Sequence, residues 1–508
     1  MIISEMQRKL ATWSAAGKER KFDRLLRIIA DRSWLQEAAR VTLASKGART
    51  PGIDGIDKQA IEAKLTDELA RLRAELLAGS YQPQPARRVT IPKANGKQRP
   101  LGIPTLRDRI VQRAMLMAME PIWESDFHRL SYGFRPERSV HHAIRTVKLQ
   151  LQESTYDKGR WVIEGDLASY FDTVHHKLLM GCLRKRICDR RFLDLVWRVI
   201  KAGHIDRGLF RAASEGVPQG GVISPLLSNI VLNEFDDWLE AKYLSKKARK
   251  DRWAWNFGIQ QQRPIAVREE RQWKPAVAYC RYADDFVVIV KGTKAQACAV
   301  REECRVFLEG ELQLTLNREK TRVTHVNDGF TFLGHRVIRK RGPRGTMRTV
   351  TTVPKDKLRN FAAKLAKELS SNYSENKIDL VEKLNRQLAG WANFYRFTDY
   401  TAIMYGKVDR IVFWKLGHWL ARKYRTSIKS LMRQWIRRPA DGTALTWVLF
   451  GRSGKGNLCG ITLRRLVTSR KDQFRWRNPS INPYLRPDDG RSTVTSRYRD
   501  VALAMGHA

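Results

Sequence analysis

Near the middle of the chain, two adjacent aspartates lie between two runs of apolar residues. The run before them is Ala276-Val277-Ala278-Tyr279-Cys280, and the run after them is Phe286-Val287-Val288-Ile289-Val290. Both runs are rich in β-branched and aromatic residues, which is typical of buried strands. Because unpaired charges are costly to bury, the intervening Tyr282-Ala283-Asp284-Asp285 is a turn, a site neutralised by cations, or both. The tetrapeptide alone does not separate a polar hairpin turn from a cation site.

Two further stretches place polar residues beside predicted strands or helices. Trp161-Val162-Ile163-Glu164-Gly165-Asp166 predicts a strand that ends on an aspartate, with a helix beginning shortly after it. Gly216-Val217-Pro218-Gln219-Gly220-Gly221 is a glycine-rich loop that enters a predicted helix. Glycines in such a loop allow the backbone to approach a ligand closely.

A basic hairpin is predicted over residues 87–104. Asn95-Gly96 lies between two apolar runs, which is a strong hairpin signal, and Lys93 and Arg99 lie on opposite arms. Two cations brought together in this way could clamp a triphosphate. A solvated basic hairpin explains the same residues, so both interpretations stay open at this point.

Helical periodicity dominates the two ends of the chain. A basic stretch, Arg341-Gly342-Pro343-Arg344-Gly345, is interpreted as a linker at a domain boundary, and the tail from Asn478 is expected to be irregular. Helices are predicted at residues 1–45, from the turn at 50–55 to about 77, and at 106–124, 295–311, 358–369, 378–391 and 405–424. Further strands are predicted at 312–317 and 330–337.

The composition predicts a folded protein with a polyanionic partner. The chain has 508 residues, 43% of them hydrophobic, and its 95 Lys and Arg against 52 Asp and Glu give a formal net charge of +43. Because the basic residues recur along the whole length, nucleic acid is favoured over a membrane surface. The six cysteines form no Cys-x-x-Cys pair, and neither a signal peptide nor an apolar run of spanning length is present, so a cytosolic protein is expected.

A polar insertion, residues 242–274, precedes the paired aspartates. It carries ten basic residues against three acidic ones, with Trp253, Trp255, Phe257 and Trp273 interleaved. This mixture suits phosphate contacts and base stacking, and a surface loop is the alternative.

Three carboxylates thus stand at the ends of inferred strands: Asp166, Asp284 and Asp285. Carboxylate oxygens are natural ligands of Mg²⁺, and two such ions are suited to phosphoryl transfer at a nucleotide. A two-metal site would explain aspartates between apolar strands.

Several motifs resemble those of known families. Tyr282-Ala283-Asp284-Asp285 with Asp166-x4-Phe171-Asp172, Pro218-Gln219-Gly220 and Ser224-Pro225 is similar to the motif series of reverse transcriptases, in that family's order. The motifs that resemble the bacterial group II intron-encoded reverse transcriptase/maturases more closely are Thr50-Pro51-Gly52-Ile53-Asp54-Gly55, Arg99-Pro100-Leu101-Gly102-Ile103-Pro104, Tyr132-Gly133-Phe134-Arg135-Pro136, Phe332-Leu333-Gly334 and the maturase-like segment 384–396. The resemblance covers about residues 20–430.

The resemblance implies an α+β, right-hand polymerase fold. Fingers are expected in residues 1–160 and in part of 175–230, and a palm with an antiparallel sheet in 161–340. An α-helical thumb or maturase (X) domain is expected in 350–425. A basic DNA-binding-like region with an irregular tail is expected in 426–508.

The resemblance also implies roles for individual residues. Asp166, Asp284 and Asp285 would bind two catalytic Mg²⁺ ions. Lys93 and Arg99 would hold the triphosphate, Phe171 would exclude a ribose 2′-hydroxyl, and Gln219 would lie against the incoming nucleotide. The residues expected to contact RNA or DNA are Arg135, Lys320, Arg386, Trp391 and Arg396.

The implied partners are a group II intron RNA, an RNA template with a DNA primer, target DNA and deoxynucleotides. Many family members carry a C-terminal H-N-H endonuclease with paired cysteines, whereas Cys459 is the only cysteine after Cys304 in this chain, so no such zinc site is expected. Two alternatives remain: a maturase that acts in splicing alone, and a domesticated reverse transcriptase in defence or DNA repair.

Overall fold

The computed structural model describes two compact units. The first comprises Met1–Val147, Thr155–Thr324 and Trp476–Ala508, and the second comprises Lys148–Ser154 and His325–Arg475. The described residues are 2–92, 96, 98–152, 160–206, 208–213, 215–218, 220–245, 247–248, 254–260, 263–269, 275–317, 319–342, 345, 347–439, 444–468, 474–485 and 494–495.

Helices and strands alternate irregularly up to residue 325. The helices are α1 (Ile3–Ala15), α2 (Leu25–Ile29), α3 (Arg32–Ala44), α4 (Lys58–Glu62), α5 (Leu65–Ala78), α6 (Leu106–Glu124), α7 (Val140–Gln152), α8 (Tyr170–Thr173), α9 (His176–Arg184), α10 (Arg190–Lys201), α11 (Ser224–Leu239) and α12 (Lys294–Gly310). The strands are β1 (Ala86–Pro92), β2 (Gln98–Ile103), β3 (Arg160–Gly165), β4 (His204–Asp206), β5 (Leu209–Arg211), β6 (Ala254–Gln260), β7 (Arg263–Glu269), β8 (Ala276–Tyr282), β9 (Asp285–Lys291) and β10 (Arg322–His325). Two single turns are a 3₁₀ turn at Lys46–Arg49 and a π turn at Glu240–Leu244.

Local capping explains where α6 begins and why it continues through a proline. The Thr105 side chain accepts a hydrogen bond from the Asp108 backbone N–H at the helix start. Pro121 has no N–H for the Met117 carbonyl four residues earlier. Gln7 Nε2 of α1 donates to that carbonyl at 3.0 Å instead. The helix therefore spans Leu106–Glu124, which confirms the prediction for residues 106–124.

Two four-stranded sheets organise the first unit. One has the order β2-β1-β4-β5, and its β1–β2 pair is antiparallel with Ile91 opposite Arg99, which confirms the predicted hairpin. The other has the order β10-β3-β9-β8, in which β9 pairs antiparallel with both β3 and β8. Within the insertion 242–274, β6 and β7 form an antiparallel hairpin.

The central strand β9 is buried along most of its length. Every residue from Phe286 to Val290 is at most 2% exposed. The Phe286 ring lies 5.1 Å from the ring of Phe235 on α11, centroid to centroid. The strand predicted from the apolar run is therefore confirmed, and its packing fixes the end at which Asp285 lies.

The second unit combines small sheets with four helices around an apolar core that includes Leu384, Leu388, Trp419 and Trp447. The elements are β11 (Phe330–Phe332), β12 (His335–Arg341), β13 (Met347–Thr352), α13 (Lys355–Glu368), α14 (Lys377–Tyr395), α15 (Thr401–Tyr424), α16 (Ile428–Trp435), β14 (Ile436–Arg437), β15 (Thr446–Arg452) and β16 (Leu458–Thr462). The C-terminal part of the first unit adds β17 (Trp476–Arg477), a 3₁₀ turn at Pro483–Leu485 and β18 (Val494–Thr495).

The structure differs from the sequence predictions at two connections. The basic stretch interpreted as a linker joins β12 to β13, which pair with Arg341 opposite Met347, so it is a hairpin connection. Residues 312–317 form only one isolated bridge, between Leu316 and Leu167. Gln313 has φ +55°, which interrupts an extended strand although Leu312 and Leu314 are buried.

The fold is α+β, as predicted. Among the described residues, none of the helices has the length and apolar character needed to cross a membrane.

Candidate active site

The turn between β8 and β9 presents Asp284 and Asp285 at one end of the buried sheet. Tyr282 and Asp285 pair across the hairpin, which leaves Ala283 and Asp284 as the two turn residues. Ala283 has φ +57°, a left-handed conformation that is uncommon for a residue with a side chain. The tight turn directs two consecutive carboxylates toward the same end of the sheet.

The neighbouring strand β3 brings Asp166 to this end. Gly165 pairs with Phe286 in the antiparallel register, so Asp166, the next residue, follows the strand beside Asp285. A side chain at Gly165 would approach the Phe286 ring to 2.1 Å, so only glycine fits there. The register of the two strands therefore brings Asp166 to the pair Asp284 and Asp285, which lies more than a hundred residues further along the chain.

Lys320 and Asn317 complete the surroundings of Asp166. The Lys320 ammonium lies 2.7 Å from Asp166 Oδ2, and Asn317 Nδ2 donates to the same oxygen at 3.2 Å. The Asn317 backbone N–H also donates to the Asp166 carbonyl at 2.9 Å. Lys320, which was predicted to contact nucleic acid, thus lies within the acidic cluster.

Burial and mutual repulsion act on the paired aspartates. Burial raises the pKa of Asp284, with a further increase from the charge of Asp166 and an opposing effect of Arg99 and Lys320. Burial, followed by the charges of Asp284 and Asp166, raises the pKa of Asp285 to about 7. A divalent cation would relieve this repulsion, and the oxygen donors suit Mg²⁺.

The charge and the donor set of this cluster thus fit a hard cation. Within the described part of the chain, no three His, Cys, Asp or Glu side chains are already gathered as a cage for one metal ion.

A cavity of about 320 Å³ is lined by Phe171, Asp172, Arg88, His204 and Pro218 among others. The glycine-rich loop forms one wall of it.

Backbone hydrogen bonds hold that loop against the segment of Phe171. Val217 N–H donates to the Phe171 carbonyl at 2.7 Å, and Gly216 N–H donates to the Val174 carbonyl at 2.8 Å. Gly216 has φ +86°, and a Cβ there would lie 2.8 Å from the carbonyl oxygens of Phe171 and Asp172. The Phe171 segment and the loop therefore form one compact structure.

Of the two cationic residues in the predicted triphosphate clamp, the structure describes Arg99. Arg99 lies on β2 opposite Ile91, and its charge opposes the rise in the pKa of Asp284, which relates it to the acidic cluster. Lys93 and Gln219 lie outside the described residues.

Arg135 occupies the interior of the first unit. Its guanidinium forms an ion pair of 2.7 Å with Glu124, and the two side chains are 2% and 0% exposed. It also donates to the carbonyls of His128 and Ser131 at 2.7 Å. This buried group holds the loop around residues 131–136 and does not reach the surface, so Arg135 is not among the nucleic-acid contacts proposed below.

The other predicted nucleic-acid contacts belong to the second unit. Arg386 is exposed and lies 3.6 Å from Glu382 on the same helix. The Trp391 ring stacks on Phe361 at 4.8 Å with an interplanar angle of 4°, and the Arg396 guanidinium lies 4.5 Å from the Phe397 ring. These residues are far from the acidic cluster in sequence. They are predicted contacts of the second unit, which does not contain that cluster.

A buried network beside the turn was not predicted from the sequence. Arg281 forms an ion pair with Asp236, and both side chains are 0% exposed. Arg281 directly precedes Tyr282 in a run of apolar strand residues, and a charged residue in such a run is the signal that could have revealed it.

Comparison with known proteins specifies the class of protein to which this fold and this acidic cluster belong. Residues 91–337 match the family model of reverse transcriptases (RNA-dependent DNA polymerases). Residues 358–438 match the maturase-specific domain of group II introns.

Three relatives illustrate the similarity. Protein YkfC of Escherichia coli (strain K12) is 72% identical over 365 residues, which cover 72% of this chain and 96% of the relative. Group II intron-encoded protein LtrA of Lactococcus lactis subsp. cremoris is 29% identical over 435 residues, covering 74% of this chain and 70% of LtrA. The putative COX1/OXI3 intron 1 protein of Saccharomyces cerevisiae is 31% identical over 349 residues, covering 63% of this chain and 40% of the relative.

The chain belongs to the bacterial group II intron-encoded reverse transcriptase/maturase family. It is an RNA-directed DNA polymerase that also carries a maturase domain.

Proposed function

We propose that this reverse transcriptase extends a DNA primer on an RNA template with two Mg²⁺ ions held by Asp166, Asp284 and Asp285. The observation that carries the proposal is the strand register that brings the three carboxylates to one end of the sheet. The partial burial of Asp284 and Asp285 supports it, because paired acids in such a place are stabilised by a cation.

The family resemblance supports a role for each remaining group. Bound Mg²⁺ ions supply Lewis-acid stabilisation of the attacking 3′ oxygen and the departing pyrophosphate. Arg99, with Lys93, binds the triphosphate of the deoxynucleotide through charge-assisted hydrogen bonds. The Phe171 ring excludes a 2′-hydroxyl, and Gln219 lies against the incoming nucleotide.

We further propose the right-hand arrangement, with fingers in residues 1–160 and part of 175–230, palm in 161–340, thumb or X domain in 350–425, and a basic DNA-binding region in 426–508. Among the described residues, mixed helices and strands up to residue 352 are followed by helices between residues 355 and 435, which supports this division. The assignment rests on family membership and on the order of these elements along the chain.

The proposed partners are intron RNA, target DNA, a primed RNA template and deoxynucleotides. The maturase-specific match and the net charge of +43 support binding of a folded RNA. Arg386, Trp391, Arg396 and Lys320 are the proposed contacts. A ribonucleoprotein with intron RNA in the bacterial cytosol is the proposed setting.

Primer extension on an RNA template tests the active-site assignment. Asp284→Ala is expected to abolish deoxynucleotide addition, whereas Glu311→Ala, which removes an exposed acid at the end of α12, is expected to leave it unchanged. Retained synthesis by Asp284→Ala at wild-type rate would refute the assignment. Splicing of a cognate intron by the same variant shows whether RNA binding and polymerisation are separable.

A further inference from the structure

The fully buried guanidinium of Arg281 binds the turn that carries the paired aspartates. Arg281 lies on β8, and its Nη1 donates to the carbonyl of Ala283 at 3.1 Å. This carbonyl belongs to the residue directly before Asp284. The same nitrogen donates to Asn229 Oδ1 on α11 at 2.9 Å.

Asp236, about two turns further along α11 than Asn229, holds the rest of the guanidinium. Arg281 Nε donates to Asp236 Oδ1 at 2.9 Å, and Nη2 donates to Oδ2 at 2.5 Å. Asp236 Oδ1 also accepts from the Tyr279 hydroxyl at 2.7 Å. Bidentate pairing of this kind fixes the plane of a guanidinium as well as its position.

The opposite side of the turn is held by the loop that contains Gly133. A Cβ at Gly133 would lie 2.3 Å from the Ala283 backbone nitrogen, so the two backbones are in direct contact. Asn229 Nδ2 donates to the Gly133 carbonyl at 2.8 Å. The backbone of Arg281 exchanges hydrogen bonds with this loop, to Leu130 at 3.0 Å and from Tyr132 at 2.9 Å. Asn229 therefore joins the guanidinium to the loop that packs on the turn.

We propose that Arg281 is a positioning residue for nucleotide addition, which sets the orientation of Asp284 by fixing the Ala283 carbonyl to α11. The proposal rests on the function proposed above for Asp284. Ala283 has φ +57°, so the turn needs a partner that selects this conformation. α11 begins directly after the glycine-rich loop, so Arg281 joins the helix that follows the nucleotide-side loop to the acid-bearing turn.

A misplacement of the carboxylate by about 1 Å lowers a reaction rate by about 100-fold. Arg281→Met keeps an unbranched, apolar side chain and removes every hydrogen bond that the guanidinium donates, while the backbone hydrogen bonds of residue 281 remain. We expect this variant to lower kcat per folded molecule by about 100-fold, with the KM for deoxynucleotide within twofold, because Phe171 and Arg99 are untouched. Arg281→Lys keeps a charge for Asp236 and loses the fork, so it is expected to recover stability and to leave kcat low.

The matched control is Arg186→Met. Arg186 is also a buried arginine of the first unit, and it pairs with Asp126 at 2.9 Å. Its guanidinium also donates hydrogen bonds to the carbonyls of Ser14, Gly17 and Lys18, and none of these residues belongs to the acid-bearing turn. It is expected to lower the melting temperature as Arg281→Met does and to leave kcat per folded molecule unchanged.

The experiment measures single-turnover primer extension, with the folded fraction given by binding of fluorescent template–primer. Mn²⁺ binding, measured by electron paramagnetic resonance without template, provides a second readout and is expected to weaken in Arg281→Met alone. If Arg281→Met does not fold, Asn229→Ala replaces it, with an expected tenfold loss of kcat. Equal kcat and equal Mn²⁺ binding in the Arg281 or Asn229 variant and in the Arg186 variant would overturn the proposal.

The Asp284→Ala variant in the same assay separates the two proposals. Loss of synthesis in Asp284→Ala together with normal kcat in Arg281→Met refutes the positioning role alone. Retained synthesis in Asp284→Ala refutes the active-site assignment on which that role depends.

Discussion

The ammonium group of Lys320 lies 2.7 Å from Asp166 Oδ2, while its side chain is 64% exposed. In this ion pair, a positively charged ammonium lies beside one of the three carboxylates that are proposed to hold Mg²⁺. The charge of Lys320 also opposes the rise in the pKa of Asp284 and of Asp285. Lys320 therefore competes with any cation that binds this cluster.

We expect Lys320→Met to bind divalent cations more tightly. Removal of an exposed competing charge should lower the half-saturating Mn²⁺ concentration by about two- to fivefold, which corresponds to the usual strength of an exposed ion pair. Electron paramagnetic resonance of free Mn²⁺ measures this, and Lys177→Met, at an exposed helix position, is the control. Weaker Mn²⁺ binding would contradict the competition. An unchanged affinity with a smaller salt dependence of RNA binding would instead assign Lys320 to a nucleic-acid contact.

Phe171→Ala is expected to relax the discrimination between deoxynucleotides and ribonucleotides. Loss of the ring creates room for a 2′-hydroxyl, and a steric change of this size is worth on the order of 10- to 100-fold in relative kcat/KM. Steady-state incorporation of matched dNTP and rNTP pairs measures the ratio. A ratio unchanged from the wild type would remove Phe171 from the nucleotide site.

Two glycines make a matched pair for stability. Gly216→Ala should destabilise the first unit by at least about 1 kcal/mol, because φ is +86° and the new Cβ would meet two carbonyl oxygens. Gly181→Ala, within α9 and with no heavy atom within 4 Å of the new Cβ, should stabilise it by about 0.5–1 kcal/mol. Urea unfolding followed by circular dichroism measures both. If Gly216→Ala were as stable as Gly181→Ala, the loop would not need the left-handed backbone conformation at residue 216.

Two arginines of the recognised motifs should respond in opposite ways. Arg135→Met is expected to cost about 3 kcal/mol of unfolding free energy, because it removes the nearer cationic partner of the buried Glu124 carboxylate and leaves only Arg138, at 3.6 Å. Arg386→Met should change stability by less than about 0.5 kcal/mol, since its ion pair is exposed.

RNA binding distinguishes the same two variants. Arg386→Met should lower the slope of log affinity against log salt by about 1 for an intron RNA, as expected for one lost phosphate contact. Arg135→Met is expected to leave the slope unchanged, measured below its melting temperature. A smaller slope for Arg135→Met and an unchanged slope for Arg386→Met would reverse these assignments.

Local sequence patterns determined much of this protein. The apolar runs around Asp284 and Asp285 predicted β8 and β9, Asn95-Gly96 predicted the β1–β2 hairpin, and periodicity predicted α6 and α12 within one residue of their ends. These features depend on neighbours in sequence, where side-chain period and turn chemistry act directly. The same strand patterns put the three acids at strand ends as a candidate metal site, and the family motifs added their expected role in nucleotide addition.

Tertiary structure alone decided which charges are buried and which lie together. Arg281 and Asp236 are 45 residues apart, Arg135 and Glu124 meet across a loop, and Lys320 reaches Asp166 from 154 residues away. The basic stretch at 341–345 is a hairpin connection and not a linker, because β12 and β13 pair antiparallel on either side of it. Pairing energies between distant residues depend on burial and geometry, which no local pattern encodes. The sequence by itself therefore determined the acidic turn, and the fold determined what holds that turn and what competes for it.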